Sequence, residues 1–182
     1  MSFEEKKLAL LKRLEEEFAD YEDVEDCSIF DHEELKSDMD ILRGIHTGFS
    51  SDLVGVLGEY LFMPIPSEDV LYFSVIYTIT DLVPEFYVEE LAATIARLNF
   101  ALPFGAFVIG GEKDRTLAYK LTVPIMANLS EDQQFEEMMA AFDAAYFTAD
   151  RMTGYLLLLI RGEATMAEVL ELATDSGSEA EA

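Results

Sequence analysis

The stretch DVLYFSVIYTIT, residues 69–80, decides how the rest of the chain reads. It is dominated by β-branched and aromatic residues, the composition of a strand. Successive side chains of a strand point to opposite faces. Leu71, Phe73, Val75, Tyr77 and Ile79 therefore share one face, and Tyr72, Ser74, Ile76 and Thr78 share the other. The first face is apolar enough to require a cover, whereas the second mixes hydroxyls with apolar groups and does not require full burial.

Upstream, VGVLGEYLFMPIP (residues 54–66) has the same β-rich composition, and PIPSED between the two runs is a turn composition. The pair reads as an antiparallel hairpin, with Pro64 and Pro66 ending the first strand because proline cannot donate to a ladder. Downstream, Pro84 sits where a first-turn helical proline belongs, with Glu85, Glu89 and Glu90 on the favourable side of the helix dipole. Tyr87, Leu91, Ile95 and Leu98 form the buried stripe of this helix, and Pro103 stops it. Residues 104–109 then read as a strand, GGEKDRT as a turn, and LAYKLTVPI (117–125) as a return strand. Leu117, Tyr119, Leu121, Val123 and Ile125 face inward there, with Lys120 and Thr122 on the other side.

The two ends of the chain carry helices. Ser2 and Glu5 have capping-box spacing, followed by the stripe Leu8, Leu11, Leu14 and Phe18. Ser130 and Gln133 form a second box, opening a helix that runs to about Ile160 and buries Phe135, Met138, Phe142 and Met152. Glu136, Asp143 and Asp150, seven apart, fall on its wet side. Thr165 and Glu168 open a last short helix, and the acidic residues 174–182 read as a disordered tail after a single domain over 1–173. Residues 20–53 are the least patterned. A short helix from Glu33 to about Leu42 is predicted, with Gly44 and Gly48 as punctuation, and part of the segment should be ordered against the sheet. The fold class is α+β, an antiparallel β-sheet packed against helices in two layers.

With 37 acidic against 12 basic residues, the formal net charge is -25. Such a surface repels phosphate backbones and anionic lipid, so neither nucleic acid nor membrane is an expected partner. Half the residues are hydrophobic, which excludes a wholly disordered acidic protein. Cys27 is the single cysteine, so neither an internal disulfide nor a thiolate metal cluster can form. MSFEEKKLAL lacks the basic-then-apolar order of a secretory signal, and a cytoplasmic location is expected.

No reaction centre stands out. The glycines after Leu102 lie on a helix-to-strand junction, so the helix end facing them is negative and unfavourable for phosphate. Gly105 there relieves crowding in the strand or lets another backbone approach. Asp23, Glu25, Asp26, Asp31, His32, Glu33 and Glu34 offer ligand chemistry, but their spacing matches neither a calcium loop nor a zinc helix. His46 reads as a satisfied structural or surface histidine. Cys27, set among acids, reads as an inert thiol with a raised pKa.

The helix ending ARLNFALPFGAFVI, the paired strands after it, and the helix opening LSEDQQFEEMMAAFDAAYFTADRM together resemble the YbjN-like family, which is similar in fold to type III secretion chaperones. The matching pattern is Arg97, Leu98 and Asn99 near a helix end, Gly105 and Phe107 at a strand start, and Leu129 and Ser130 entering the closing helix. It spans residues 84–160, with 54–80 fitting as the preceding strands. Residues 20–53 are longer and more acidic than the family pattern. The resemblance implies a compact domain without catalytic residues or cofactors, a homodimer, and a structural role for Asn99, whose amide would cap or bridge the helix end. The related chaperones hold extended segments of partner proteins along apolar patches.

The expectation is a non-enzymatic protein-binding module, chaperone-like or regulatory, that holds a partner polypeptide on an apolar surface. Tyr60, Phe62, Tyr72 and Ile76 are the candidates for an exposed sheet face. One alternative is a divalent-ion-dependent switch or enzyme using the 23–34 segment; another is a purely structural homodimeric subunit.

Overall fold

A computed structural model describes residues 2–49, 54–110 and 115–175, without the side chains of Glu33, Val54 and residues 173–175. In chain order it contains α1 (Phe3–Phe18), β1 (Val24–Phe30), a single turn α2 (His32–Leu35), β2 (Ile41–Gly48), β3 (Val54–Phe62) and β4 (Val70–Thr80). A 3-10 turn (Glu85–Tyr87) leads into α3 (Val88–Ala101), followed by β5 (Ala106–Ile109), β6 (Leu117–Met126), α4 (Glu131–Ile160) and α5 (Met166–Asp175). The six strands form one antiparallel sheet in the order β1-β2-β3-β4-β6-β5. The first four make a meander. The β5–β6 hairpin then folds back so that β6 lies beside β4.

Register carries the alternation of residues 69–80 across the sheet. Phe73, Val75 and Tyr77 of β4 pair with Val123, Leu121 and Tyr119 of β6 on one side, and with Phe62, Tyr60 and Gly58 of β3 on the other. The side chains of Tyr60, Phe62, Phe73, Val75, Tyr77, Tyr119 and Leu121 join Leu10, Leu14 and Phe18 of α1, Leu91, Ile95 and Leu98 of α3, and Phe135, Met138 and Phe142 of α4 in one core, with Val123 packed against it. Each large apolar side chain that leaves water in this way stabilises the fold by about 1.5–3 kcal/mol. The helices thus share one face of the sheet. Their ends are held as the sequence requires: both capping boxes are formed, Ser2 with Glu5 and Ser130 with Gln133, and Thr165 and Glu168 bond reciprocally at the start of α5. Glu136 and Asp143 are exposed on the wet side of α4, with Asp150 half-buried.

The helix-to-strand junction is built by three residues. Gly105 has φ +63, a conformation that a Cβ disfavours, and a Cβ there would strike the Tyr119 ring and lie 2.8 Å from the Lys120 carbonyl. Both expected roles of this glycine are therefore met together. The space admits the Tyr119 hydroxyl, which donates to the Phe104 carbonyl at 2.8 Å. Asn99 does more than finish a helix: its amide donates to the Phe107 carbonyl at 2.9 Å and its oxygen accepts the Phe107 N–H at 2.8 Å. A side chain thus supplies the hydrogen bonds that a further strand would have made to β5.

Residues 20–53 depart from the sequence reading. In place of a helix from Glu33 to Leu42, the chain forms β1, one helical turn and β2, with Gly44 and Gly48 inside the strand. Long-range pairing to β3 decides this, since Leu42, Gly44 and His46 lie opposite Tyr60, Gly58 and Val56. At the other end α5 continues to Asp175, beyond the expected boundary at 173; residues 176–182 lie outside the description.

Candidate functional site: the open face of the sheet

With the helices on one face, no helix lies over the opposite face among the described residues. Register assigns to it Ile41, Arg43 and Ile45 of β2, Leu57, Glu59 and Leu61 of β3, Tyr72, Ser74, Ile76 and Thr78 of β4, Ala118, Lys120, Thr122 and Pro124 of β6, and Val108 of β5. Leu61 and Ala118 are buried by their neighbours on this face, yet neither belongs to the main core. Tyr72, Ile76, Ile41 and Leu57 are half-buried, and Ile45 and Val108 are exposed. The result is an apolar floor with hydroxyls between its larger side chains. Ser74 Oγ and Thr122 Oγ1 lie 2.6 Å apart and satisfy one another.

A row of register partners crosses the middle of the face: Ser28, Arg43, Glu59, Ile76, Lys120 and Ala106. Arg43 Nε and Nη2 both lie 2.8 Å from Glu59 Oε1, and the guanidinium sits 5.3 Å from the Phe30 ring centroid. Among the described residues Lys120 has no ion-pair partner. Glu25 adds one acid near the β1 edge, so the register-paired residues of this face carry two acids and two bases. On a chain of net charge -25, this face is close to neutral.

Of the four sheet-face candidates, Tyr72 and Ile76 lie here, and Tyr60 and Phe62 do not. Tyr60 is fully buried and Phe62 is 4% exposed, both in the helix-covered core. The error has a definite source. VGVLGEYLF has apolar residues at both alternations, and its one outward marker is Glu59, on the side of Leu57 and Leu61; the pairing of Tyr60 with Val75 settles the inward face.

Neither sheet edge offers a free template for strand addition. β1 is interrupted by a bulge between Glu25 and Ser28, with Asp26 at φ +51. β5 is four residues long, and Asn99 occupies both backbone groups of Phe107.

A second cluster lies beneath the sheet and was not legible in the sequence. His46 is fully buried among the rings of Phe18, Phe49, Tyr60, Tyr77, Phe142 and Tyr146, with centroids 5.3 to 6.1 Å away. Its Nε2 shares a hydrogen bond with the Tyr60 hydroxyl, which donates to Tyr77 Oη at 3.1 Å. With the single Tyr60 proton directed at Tyr77, the shared bond takes its proton from Nε2–H. His46 Nδ1 then remains a buried acceptor without a partner among the described residues, so this histidine is only half satisfied. Burial lowers its pKa to about 4 against an opposing pull from the Asp23 carboxylate. Burial likewise holds the Tyr60 and Tyr77 phenols well above their ordinary values. Gly58 makes the cluster possible, because a Cβ there would lie 2.7 Å from Tyr60 Oη and 2.8 Å from His46 Nε2.

The acidic segment is dispersed over β1, the loop and α2. Asp23 accepts from the Tyr146 hydroxyl at 2.9 Å, Asp31 accepts from the Glu34 N–H at 2.8 Å, and His32 pairs with Asp40 at 3.0 Å. Glu25 and Asp26 are exposed at the bulge, and the Glu33 side chain lies outside the description. Among the described residues, no group of three or more His, Cys, Asp or Glu is arranged to hold a metal ion. Cys27 is half-buried, and burial, helped by Glu15, pushes its thiol up to about 11. Among the described residues, no helix is long and apolar enough to cross a membrane.

Comparison with known proteins adds little to this geometry. No family model matches the chain, and no curated protein matches it. A crystal structure of an uncharacterized protein from Methanothermobacter thermautotrophicus is similar at 12% identity and a TM-score of 0.41, over 85% of this chain and 98% of that one.

Proposed function

We propose that the protein is a non-enzymatic binding module that holds a partner polypeptide on the open face of its sheet. The observation that carries this reading is the one-sided placement of the helices, which leaves Tyr72, Ile76, Leu57 and Ile41 without a helical cover among the described residues. An apolar centre supplies affinity, and the near-neutral charge removes the repulsion that the acidic remainder of the surface would impose. The blunted edges favour side-chain docking on the face over strand addition. The resemblance to YbjN-like proteins, with their chaperone-like fold, points the same way.

The test is a comparison of wild type with Ile76→Lys and Tyr72→Glu in capture from extracts of the source cell, read by mass spectrometry and native mass. Both residues are half-exposed, so both variants should keep the wild-type thermal unfolding profile. A stoichiometric polypeptide that is retained by wild type and lost by both variants is the expected result. A partner retained equally by all three proteins would place binding elsewhere and refute the role of this face.

A further inference from the structure

The open face has a relief that follows from its register. The paired residues that β2 and β3 place on it are all Ile, Leu, Arg or Glu, side chains that stand well above the sheet. On β4 and β6 it carries instead the short pairs Ser74–Thr122 and Thr78–Ala118, with Ile76 and Lys120 between them. The β4–β6 half is therefore a shallow trough along the strands, with one apolar and one cationic side chain at its middle. The two bases of the face differ in state. Arg43 is neutralised by Glu59 at 2.8 Å, whereas Lys120 has no ion-pair partner among the described residues. Glu59 stands two strands from Lys120, about 10 Å away at the usual strand spacing. Lys120 is half-buried, so its ammonium is already partly withdrawn from water.

We propose that the occupant of this trough is an amphipathic helix of the partner polypeptide, lying along β4 and β6 with one carboxylate of its apolar side seated on Lys120; this rests on the open face being the binding surface. An extended segment laid flat on a sheet face would bury its own N–H and C=O groups without partners, and each would cost free energy. A helix satisfies its backbone internally, as α1, α3 and α4 do on the other face of the same sheet. A wholly apolar helix would cover Lys120 and strip its hydration with nothing in return, and a carboxylate opposite the ammonium offsets that cost. The net charge of -25 favours basic residues on the outer side of the same helix, which are drawn in from a distance. A second copy is the poorer occupant, because it sets that net charge against itself. The partner segment is thus basic outside, apolar inside, and acidic at one inner position.

The experiment is selection on the full chain from a displayed library of helix-forming peptides of about 18 residues, five turns. Each has Lys and Arg on one side and a Leu stripe on the other, with the central stripe position varied among Glu, Gln, Lys and Leu. Wild type and Lys120→Glu are used in parallel, and the selected peptides are measured by fluorescence anisotropy and circular dichroism. Wild type should enrich Glu at the central position and hold that peptide as a helix. Lys120→Glu should bind the Glu peptide at least about 10-fold more weakly, and the Lys peptide about 10-fold more tightly, than wild type does. General damage to the fold could not produce that exchange of preference. Peptides that bind wild type with no preference at the central position, yet are lost with Ile76→Lys, would refute the charge-selected helix and leave the open face standing as the binding surface. Peptides that Ile76→Lys retains in full would refute both. A bound peptide that is extended, no peptide bound by wild type at about 200 μM, or a wild-type self-association abolished by Ile76→Lys would each overturn the proposal.

Discussion

Lowering the pH should cost this protein stability through His46 in a window that can be stated in advance. In the unfolded chain the imidazole takes up its proton near the ordinary value of 6.5; in the native protein burial delays this to about 4. Above pH 6.5 both states hold the neutral ring, and stability is at its full value with respect to this group. Between 6.5 and 4 only the unfolded state is protonated, so stability falls as the pH falls, and below about 4 the loss levels off. The separation of about 2.5 units corresponds to a loss of about 3 kcal/mol. The assay is urea unfolding from pH 7.5 to 3.5 at fixed ionic strength, for wild type and His46→Gln. The variant loses some stability at pH 7 because the Tyr60 hydroxyl loses its bond with Nε2 and keeps only the one to Tyr77. Its pH profile should nevertheless be flatter by about 3 kcal/mol, since the carboxylates are common to both proteins and cancel in the difference. Parallel profiles across this window would show that the cavity of six rings does not hold the imidazole neutral, and would refute the reasoning.

Two further outcomes follow from close contacts. Gly58→Ala should destabilise the protein by about 1–3 kcal/mol and shift the near-UV tyrosine signal, because the new methyl would occupy the space between Tyr60 Oη and His46 Nε2. Asn99→Leu should speed amide exchange at Phe107 and cost about 1–3 kcal/mol through the two backbone groups it leaves unpaired; unchanged exchange there would show that the Asn99 side chain is not what protects this amide.

The elements that carry a local signature were legible from the sequence. The alternation of residues 69–80 and 117–125 fixed two central strands and their inward residues, and Ser130 with Gln133 fixed the start of the long helix. What stayed hidden depends on pairing between distant segments. β1 is acidic and interrupted by a bulge, β2 is punctuated by glycine, and only their neighbours make them strands. Both alternations of β3 carry large apolar side chains, and the pairing of Tyr60 with Val75 is what turns Tyr60 and Phe62 inward, away from the face of Tyr72 and Ile76. His46 gave no signal at all: its six rings come from α1, β3, β4, α4 and Phe49, the residue after β2.

The strand order has a consequence for how the chain is made. β1 to β4 can pair as they leave the ribosome, each with the one before it, but β4 then waits for β6 while α3 and β5 are synthesised. At translation rates of about 5–20 residues per second, Val70–Thr80 stands for some seconds as a raw, strongly β-prone margin. A newborn chain stalled at that stage would be sticky in a way that the finished molecule is not.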